Sequence, residues 1–413
     1  MGAGAKEAPV LASPGPGRHP RPPAGRPRIS ADRSRAPLAI LFSVVIVDLI
    51  GFGIVMPVLP FWAIDLGADG WTYGLIQSSY ALAQFLLAPV WGRVSDRFGR
   101  RPVLLFTIAG TSASLAWLGL AESLAGIFAA RILAGGFAAN VSVASAYITD
   151  VTDEEERTRW MGMLGASFGV GFLLGPAIGG LLAPYGYAVP MLAAAGLAAL
   201  NFVFALFLLR EPPRHHPPER SLGRLEVLRE PAVRRICITY LFFSLAVTQL
   251  ENMFPLYMKD AFGFDARSVA FLLVAMALLM GGIQGGGMRA LAARFSEKPL
   301  VLTGSVLLAT AFLFVPLAPT VALLLIPLAV SAVGRAIAQP SLMSLVSFEA
   351  GQDTRGAVMG TYQSMASLAR IFGPAVAGFL YDLNLAWPFW LAGLLMGIVV
   401  LQSRGLRDDR GNP

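Results

Sequence analysis

A single cysteine, Cys237, is all the chain holds, so no disulfide can form within it. Its three histidines, His19, His215 and His216, lie in polar, proline-rich stretches. None falls in an apolar segment, which excludes a histidine-based metal site or a catalytic triad at membrane depth. No G-x-x-x-x-G-K-[ST] run is present to cradle nucleotide phosphates, so no ATPase of that kind is expected. Charge is scarce as well. Asp, Glu, Lys and Arg make up 14% of the 413 residues, against about 25% in a soluble domain. Residues 1–37 lack the apolar core of a signal peptide and read as a disordered basic tail.

What the chain does have is apolar length. Hydrophobic residues make up 55% of it, and glycine contributes 44 positions. Runs such as ILFSVVIVDLIGFGIVMPVLPF (40–61) and VLLFTIAGTSASLAWLGLA (103–121) are continuous, and about 20 residues are enough to cross a bilayer as a helix. Twelve spans are expected, roughly 38–60, 72–91, 102–121, 124–148, 159–183, 187–209, 235–258, 267–288, 299–317, 319–345, 357–380 and 385–403. A proline-rich, charged linker at 210–234 separates six spans from six. The domains expected are a bundle at 38–209, a second at 235–404, and a short tail from 405. The fold class is therefore an all-α membrane protein built as two six-helix repeats.

The net charge of +7 is a matter of topology rather than nucleic-acid binding. With the N-terminus inside, 32 Lys and Arg residues divide sharply: only Lys259 and Arg267 fall outside, and Arg131, Arg335 and Arg370 lie within spans. The rest are on one side, which predicts cytoplasmic termini. An internal repeat supports the division. Arg157, Met161, Gly162, Gly175, Pro176 and Gly180 recur at constant spacing as Arg355, Met359, Gly360, Gly373, Pro374 and Gly378. Repeat-built transporters bind substrate near the midplane, between the repeats.

Two motifs stand out. WGRVSDRFGRRPVLLF (91–106) packs charge into the loop after the second span: Gly92, Asp96, Arg97, Gly99, Arg100 and Arg101. Four arginines suit an inside loop, but Asp96 does not serve that purpose and could cap a helix or pair with arginine. The second motif, GMLGASFGVGFLLGPAIGG (162–180), places Gly171, Gly175, Pro176, Gly179 and Gly180 along the fifth span. Small residues allow close helix contact, and proline bends a helix.

GRVSDRFGRRP resembles the loop signature of the major facilitator superfamily, and the glycine pattern resembles the antiporter signature of its drug exporters. DLIGFGIVMPVLP (48–60), YALAQFLLAP and RILAGGFAANVSVASAYITD (131–150) are also similar to twelve-span proton-coupled drug exporters, above all to tetracycline/proton antiporters. The resemblance implies export of amphipathic drug-like compounds in exchange for protons, with no cofactor beyond the proton gradient. It implies a multi-pass protein of the inner membrane in contact with lipid, acting as a monomer, with no nucleic-acid partner and no enzyme activity. It also implies that Asp96 contacts the start of the eleventh helix near Arg355, and that Gly175–Pro176 lets the fifth helix bend. There are departures. Ala116, in GTSASLA, stands where tetracycline exporters carry an acid, and 301–317 holds no acid at all. Export of a metabolite or lysolipid is the alternative, and a non-transporting membrane sensor a remoter one.

Ionisable groups at membrane depth are costly and mark function. Asp48 lies about 15 Å into the first span by helical rise. Enclosure favours a carboxyl group's neutral form and an approaching cation its charged form, the chemistry that antiport needs. Asp48 is thus the leading proton carrier, a structural hydrogen bond near Gly51 being the competing role. Glu251 is read as recognising cations or taking part in proton transfer. The resemblance implies that Arg131 tunes a neighbouring acid. Arg335 and Arg370 bind an acidic substrate group, pair with an internal acid, or pack against helix ends. Gln77, Tyr80, Gln84, Asn140, Gln249, Asn252, Tyr257, Gln284, Gln339 and Gln363 are the remaining cavity candidates.

Overall fold

A computed structural model describes residues 31–152, 154–212, 224–351 and 354–406. The expectations for 1–30, for the middle of the linker and for the end of the C-terminal tail lie outside these residues. No strand occurs among them. The helices, in chain order, are α1 (Ala31–Asp65), α2 (Gly70–Phe98), α3 (Arg100–Gly119) and α4 (Leu124–Val151). Next come α5 (Glu154–Leu182), α6 (Ala188–Leu208), α7 (Pro231–Phe262) and α8 (Ala266–Arg294). The series ends with α9 (Glu297–Phe314), α10 (Val321–Phe348), α11 (Arg355–Leu383) and α12 (Trp387–Arg404). A single helical turn at Arg224–Val227 lies in the linker.

Ten of these are long and apolar enough to cross a membrane; α2 and α11 are not among them. The reason is composition. α2 carries Gln77, Gln84, Arg93, Asp96 and Arg97, and α11 carries Gln363, Arg370 and Asp382. The helical boundaries also outrun the sequence expectation at the start: α1 is already helical at Ala31, seven residues inside the expected tail.

Two bundles result. In the first, α1 packs on α5 and α6, α3 on α4 and α6, and α2 on α4. In the second, α7 packs on α11 and α12, and α9 on α10 and α12. The bundles meet mainly through α2 against α11 and α5 against α8. Large apolar side chains such as Leu120, Phe207, Ile326, Phe372 and Leu401 are exposed on the outside. On a soluble protein such a surface would aggregate; in lipid it is the matching solvent.

Lipid tails are as apolar as leucine, so burial of apolar area does not drive helices together here; close van der Waals contact does. Glycine supplies it. A Cβ on Gly175 would lie 2.5 Å from the Gly53 Cα, and one on Gly74 would lie 2.2 Å from the Pro374 carbonyl oxygen. Both are backbone contacts, so neither neighbour can yield. The first holds α1 to α5 within a bundle; the second holds α2 to α11 across the bundles. α5 continues as helix through Pro176.

Helix starts are capped at one end of the molecule. Asp69 accepts from the Thr72 N–H at 2.8 Å, Ser123 from Gly126 at 3.2 Å, Asp265 from Ser268 at 2.9 Å, and Thr320 from Leu323 at 3.4 Å. Each cap satisfies one of the four free N–H groups of its helix.

Candidate functional site: a polar seam between the two bundles

The site begins with a broken helix. α4 is interrupted at Ala138–Ala139, between segments ending at Phe137 and starting at Asn140. Backbone freed by such a break needs partners inside a membrane, and α2 supplies them. Gln84 Nε2 donates to the Ala138 carbonyl at 3.1 Å, and Trp91 Nε1 donates to that of Gly136 at 2.6 Å. The break aims Asn140 at α1. Asn140 Nδ2 donates to Asp48 Oδ1 at 2.8 Å, and Asn140 Oδ1 accepts from Thr107 Oγ1 at 2.5 Å. Asp48 is half-buried, and no cation lies within ion-pair distance of it among the described residues.

Arg131 is 4% exposed, yet no carboxylate pairs with it among the described residues. Its Nη2 donates to Gln77 Oε1 at 3.0 Å, and its guanidinium stands 4.1 Å over the Tyr80 ring. Gln77 Nε2 in turn donates to Asn252 Oδ1 of α7 at 3.4 Å, so the seam runs from Arg131 across to the second bundle. Phe52 adds an aromatic wall, 5.8 Å from Tyr80 and 6.2 Å from Phe172 between ring centres.

On the second bundle, Glu251 Oε1 and Arg335 Nη1 form an ion pair at 2.5 Å, and Arg335 Nε donates to Gln339 Oε1 at 3.2 Å. Arg370 is exposed, and its Nη2 donates to Ser367 Oγ at 3.4 Å. Tyr240 and Tyr362 stack inside the second bundle, 3.8 Å between centres.

Polar groups at mid-depth in two pseudo-equivalent bundles, with one helix broken to present them, are the architecture of a transport path. Residues 41–363 and 287–411 match the family described as Major Facilitator Superfamily. The chain belongs to the major facilitator superfamily. It is 32% identical over 385 residues to the tetracycline resistance protein, class C, of Escherichia coli, covering 90% of this chain and 97% of that protein. It is 29% identical over 381 residues to multidrug resistance protein 2 of Bacillus subtilis (strain 168), covering 89% and 94%. Among solved structures it resembles the human organic anion transporter MFSD10, with a TM-score of 0.68 and 26% identity over 90% of this chain and 99% of that one. This facilitator is a transporter and not an enzyme.

Not every expected residue of the facilitator lines the seam. Tyr257 is buried, packs 4.9 Å from Phe389 and donates to the Val315 carbonyl at 3.4 Å, so it belongs to the core. Gln249 is 1% exposed and donates to the Gly373 carbonyl at 3.2 Å, joining α7 to α11. Both sit on the inner face of α7, a rotation that sequence spacing does not reveal. Gln284 is exposed in a π-helical turn at Ile283–Gly287, and Gln363 is exposed on α11. Ala116 packs against the apolar core, as its side chain requires.

The charge knot lies at one end, here called the basic end. Gly99 turns the chain with φ of 110°. Asp96 pairs with Arg100 at 2.5 Å, and Arg100 also reaches Asp150 at 2.8 Å. Arg101 Nη2 donates to the Leu206 carbonyl at 2.6 Å, while Glu211 accepts from the Arg100 and Arg101 N–H groups at 2.6 and 2.9 Å. Arg97 stands 5.6 Å over the Phe98 ring, and Gly92 faces open space. Asp96 thus takes an arginine partner four residues away, one of the roles open to it in sequence. The Arg355 side chain lies outside the described residues. Asp150 and Glu211, which complete the knot, were not anticipated, since each is far from the motif in sequence.

The opposite end is tied across the bundles. Asp382 of α11 accepts from the Gly70 and Trp71 N–H groups of α2 at 2.7 Å each. Asp65 of α1 pairs with Lys259 of α7 at 3.3 Å. A Cβ on Gly180 would lie 2.3 Å from the Ala270 Cβ of α8. The remaining antiporter-motif glycines, Gly171 and Gly179, press on α1 at Leu49 and Ile54.

Proposed function

We propose that this protein exports amphipathic, drug-like compounds from the cytoplasm in exchange for protons. The carrying observation is Asp48: a mid-span carboxyl group held by one neutral amide, with the buried Arg131 in the same bundle. Such a group can take up a proton in one state and release it in another. The tetracycline and multidrug relatives support the drug reading. Ala116 and the acid-free run 301–317 argue for substrates other than a tetracycline–metal chelate. In this reading α2 and α11 also cross the bilayer, making twelve spans in bundles at 38–209 and 235–404. Both termini are cytoplasmic, the membrane is the inner one, and the unit is a monomer. The structure then corresponds to a state closed at the Asp382 end, and transport alternates it with a state closed at the basic end.

The test uses inside-out vesicles with an acidic interior and a pH-sensitive dye. Adding amphipathic drugs releases protons from vesicles carrying the wild type and not from those carrying Asp48→Asn. An Asp48→Asn response equal to wild type removes Asp48 from the coupling; no response to any drug removes drug/proton exchange.

A further inference from the structure

We infer that the substrate is an amphipathic organic anion, an aryl carboxylate in the simplest case, gripped by Arg370. The inference rests on the export reading above and names its substrate class. It begins with a charge inventory. Five ionisable residues lie well inside the described helices rather than near their ends: Asp48, Arg131, Glu251, Arg335 and Arg370. Glu251 and Arg335 cancel each other at 2.5 Å. Arg131 is enclosed and engaged by Gln77 and Tyr80. Asp48 is negative or neutral according to its proton. The seam is therefore net positive in either case, and an anion is the ligand that relieves it.

Arg370 is the cation left available. It is exposed, with only a long contact to Ser367 and no carboxylate within ion-pair distance among the described residues. Its direction follows from α11. Gly378 and Pro374 face Gly70 and Gly74 of α2 across the bundles, and Arg370 is the next position on that same face at helical spacing. It thus hangs in the gap just past the closed contact.

The surroundings fit an aromatic body. Phe52, Tyr80 and Phe172 form an aromatic wall on the first bundle. A planar guanidinium binds a carboxylate in a bidentate fork, which an ammonium does not. Glu251 would favour cationic substrates if free, but Arg335 occupies it. The same pairing makes Arg335 a poor anion grip.

The experiment measures binding to the full chain in lipid nanodiscs by calorimetry. The probes are a series of aryl carboxylates beginning with 2-naphthoate, each with its methyl ester and the matching arylmethylamine. The carboxylates are expected to bind at least tenfold more tightly than their esters and the amines. Arg370→Gln is expected to abolish that preference, Arg370→Lys to keep part of it, and the double variant Glu251→Gln/Arg335→Gln to retain it. An ester or amine binding as well as its carboxylate overturns the inference. So does an Arg370→Gln protein with undiminished preference, or a series in which no carboxylate binds. The ester comparison needs only the wild type, so misfolding of a variant does not spare the inference. The vesicle assay separates the two readings. Amine-driven proton release with no carboxylate binding sinks the anion and leaves proton-coupled export. Carboxylate binding without proton movement does the reverse.

Discussion

Asp48 depends on a partner 92 residues away in the chain. Asn140 reaches it only because α4 is broken at Ala138–Ala139, and the break persists because Gln84 and Trp91 satisfy its carbonyls. A hydrogen bond to a charged group contributes about 1.5–3 kcal/mol. Asn140→Ala removes the donor without adding bulk at this buried position, so proton-coupled transport is expected to fall about tenfold or more in the vesicle assay while expression is retained. Unchanged transport would show that the amide is dispensable. Asp48 and Arg131 were legible in sequence because a charge in an apolar run is conspicuous whatever the fold. The Asn140 contact was not, because it is made by the rotation and breakage of a helix. Glu251 shows the same limit from the other side: its position was visible, and so was a pairing role for Arg335, but not that the two meet across α7 and α10.

Among the elements, α2 and α11 carry the most information. Both are too polar to rank with the apolar spans, and both are spent on contact across the bundles. Asp382 caps the start of α2 from α11, tying the two bundles through a helix N-terminus. A cap of this kind is worth about 0.5–2 kcal/mol. Asp382→Asn is therefore expected to raise the population open at that end by roughly 2- to 30-fold on the ordinary conversion of free energy to populations. Spin labels on the outer turns of α2 and α11 would record a longer distance; an unchanged distance distribution would deny the latch. In α5 the contrast between glycines is itself a prediction. Gly175→Ala forces a Cβ into the Gly53 backbone, and overpacking of that kind costs about 1–3 kcal/mol. Gly165→Ala meets nothing within 4 Å. The first is expected to lower the melting temperature and the second to leave it unchanged, as scanning calorimetry would read. The glycine motif was plain in sequence; that its middle members pack on α1, and Gly180 on α8, was decided by geometry.

On the scale of the whole molecule, the closed end defines two antiparallel registers. The one that sets Gly70 on Gly378 and Gly74 on Pro374 places Gly92 opposite Gly356 at the basic end. The one that sets Gly180 on Ala270 places Gly169 opposite Gly281 and Gly165 opposite Gly285. All six of these glycines face open space here. Rigid rocking of the bundles would bring each pair together. In a Cys237→Ala background, Gly169→Cys with Gly281→Cys is expected to cross-link under mild oxidation and to stop transport. A pair that never cross-links while transport proceeds would exclude closure on this register, since a disulfide needs Cα atoms about 4.4–6.8 Å apart.

The sequence by itself determined the helices, the two-bundle repeat and the positions of the mid-span charges. Each of these follows from local composition: the length of an apolar run, the recurrence of a motif, a charge where lipid tolerates none. Tertiary structure alone decided which charges cancel, which polar side chains are enclosed, and which end of the molecule is shut. Those depend on how each helix is rotated about its axis and which helix it faces. In a bilayer, that choice rests on close backbone approach at a few small residues rather than on hydrophobicity, which every span shares.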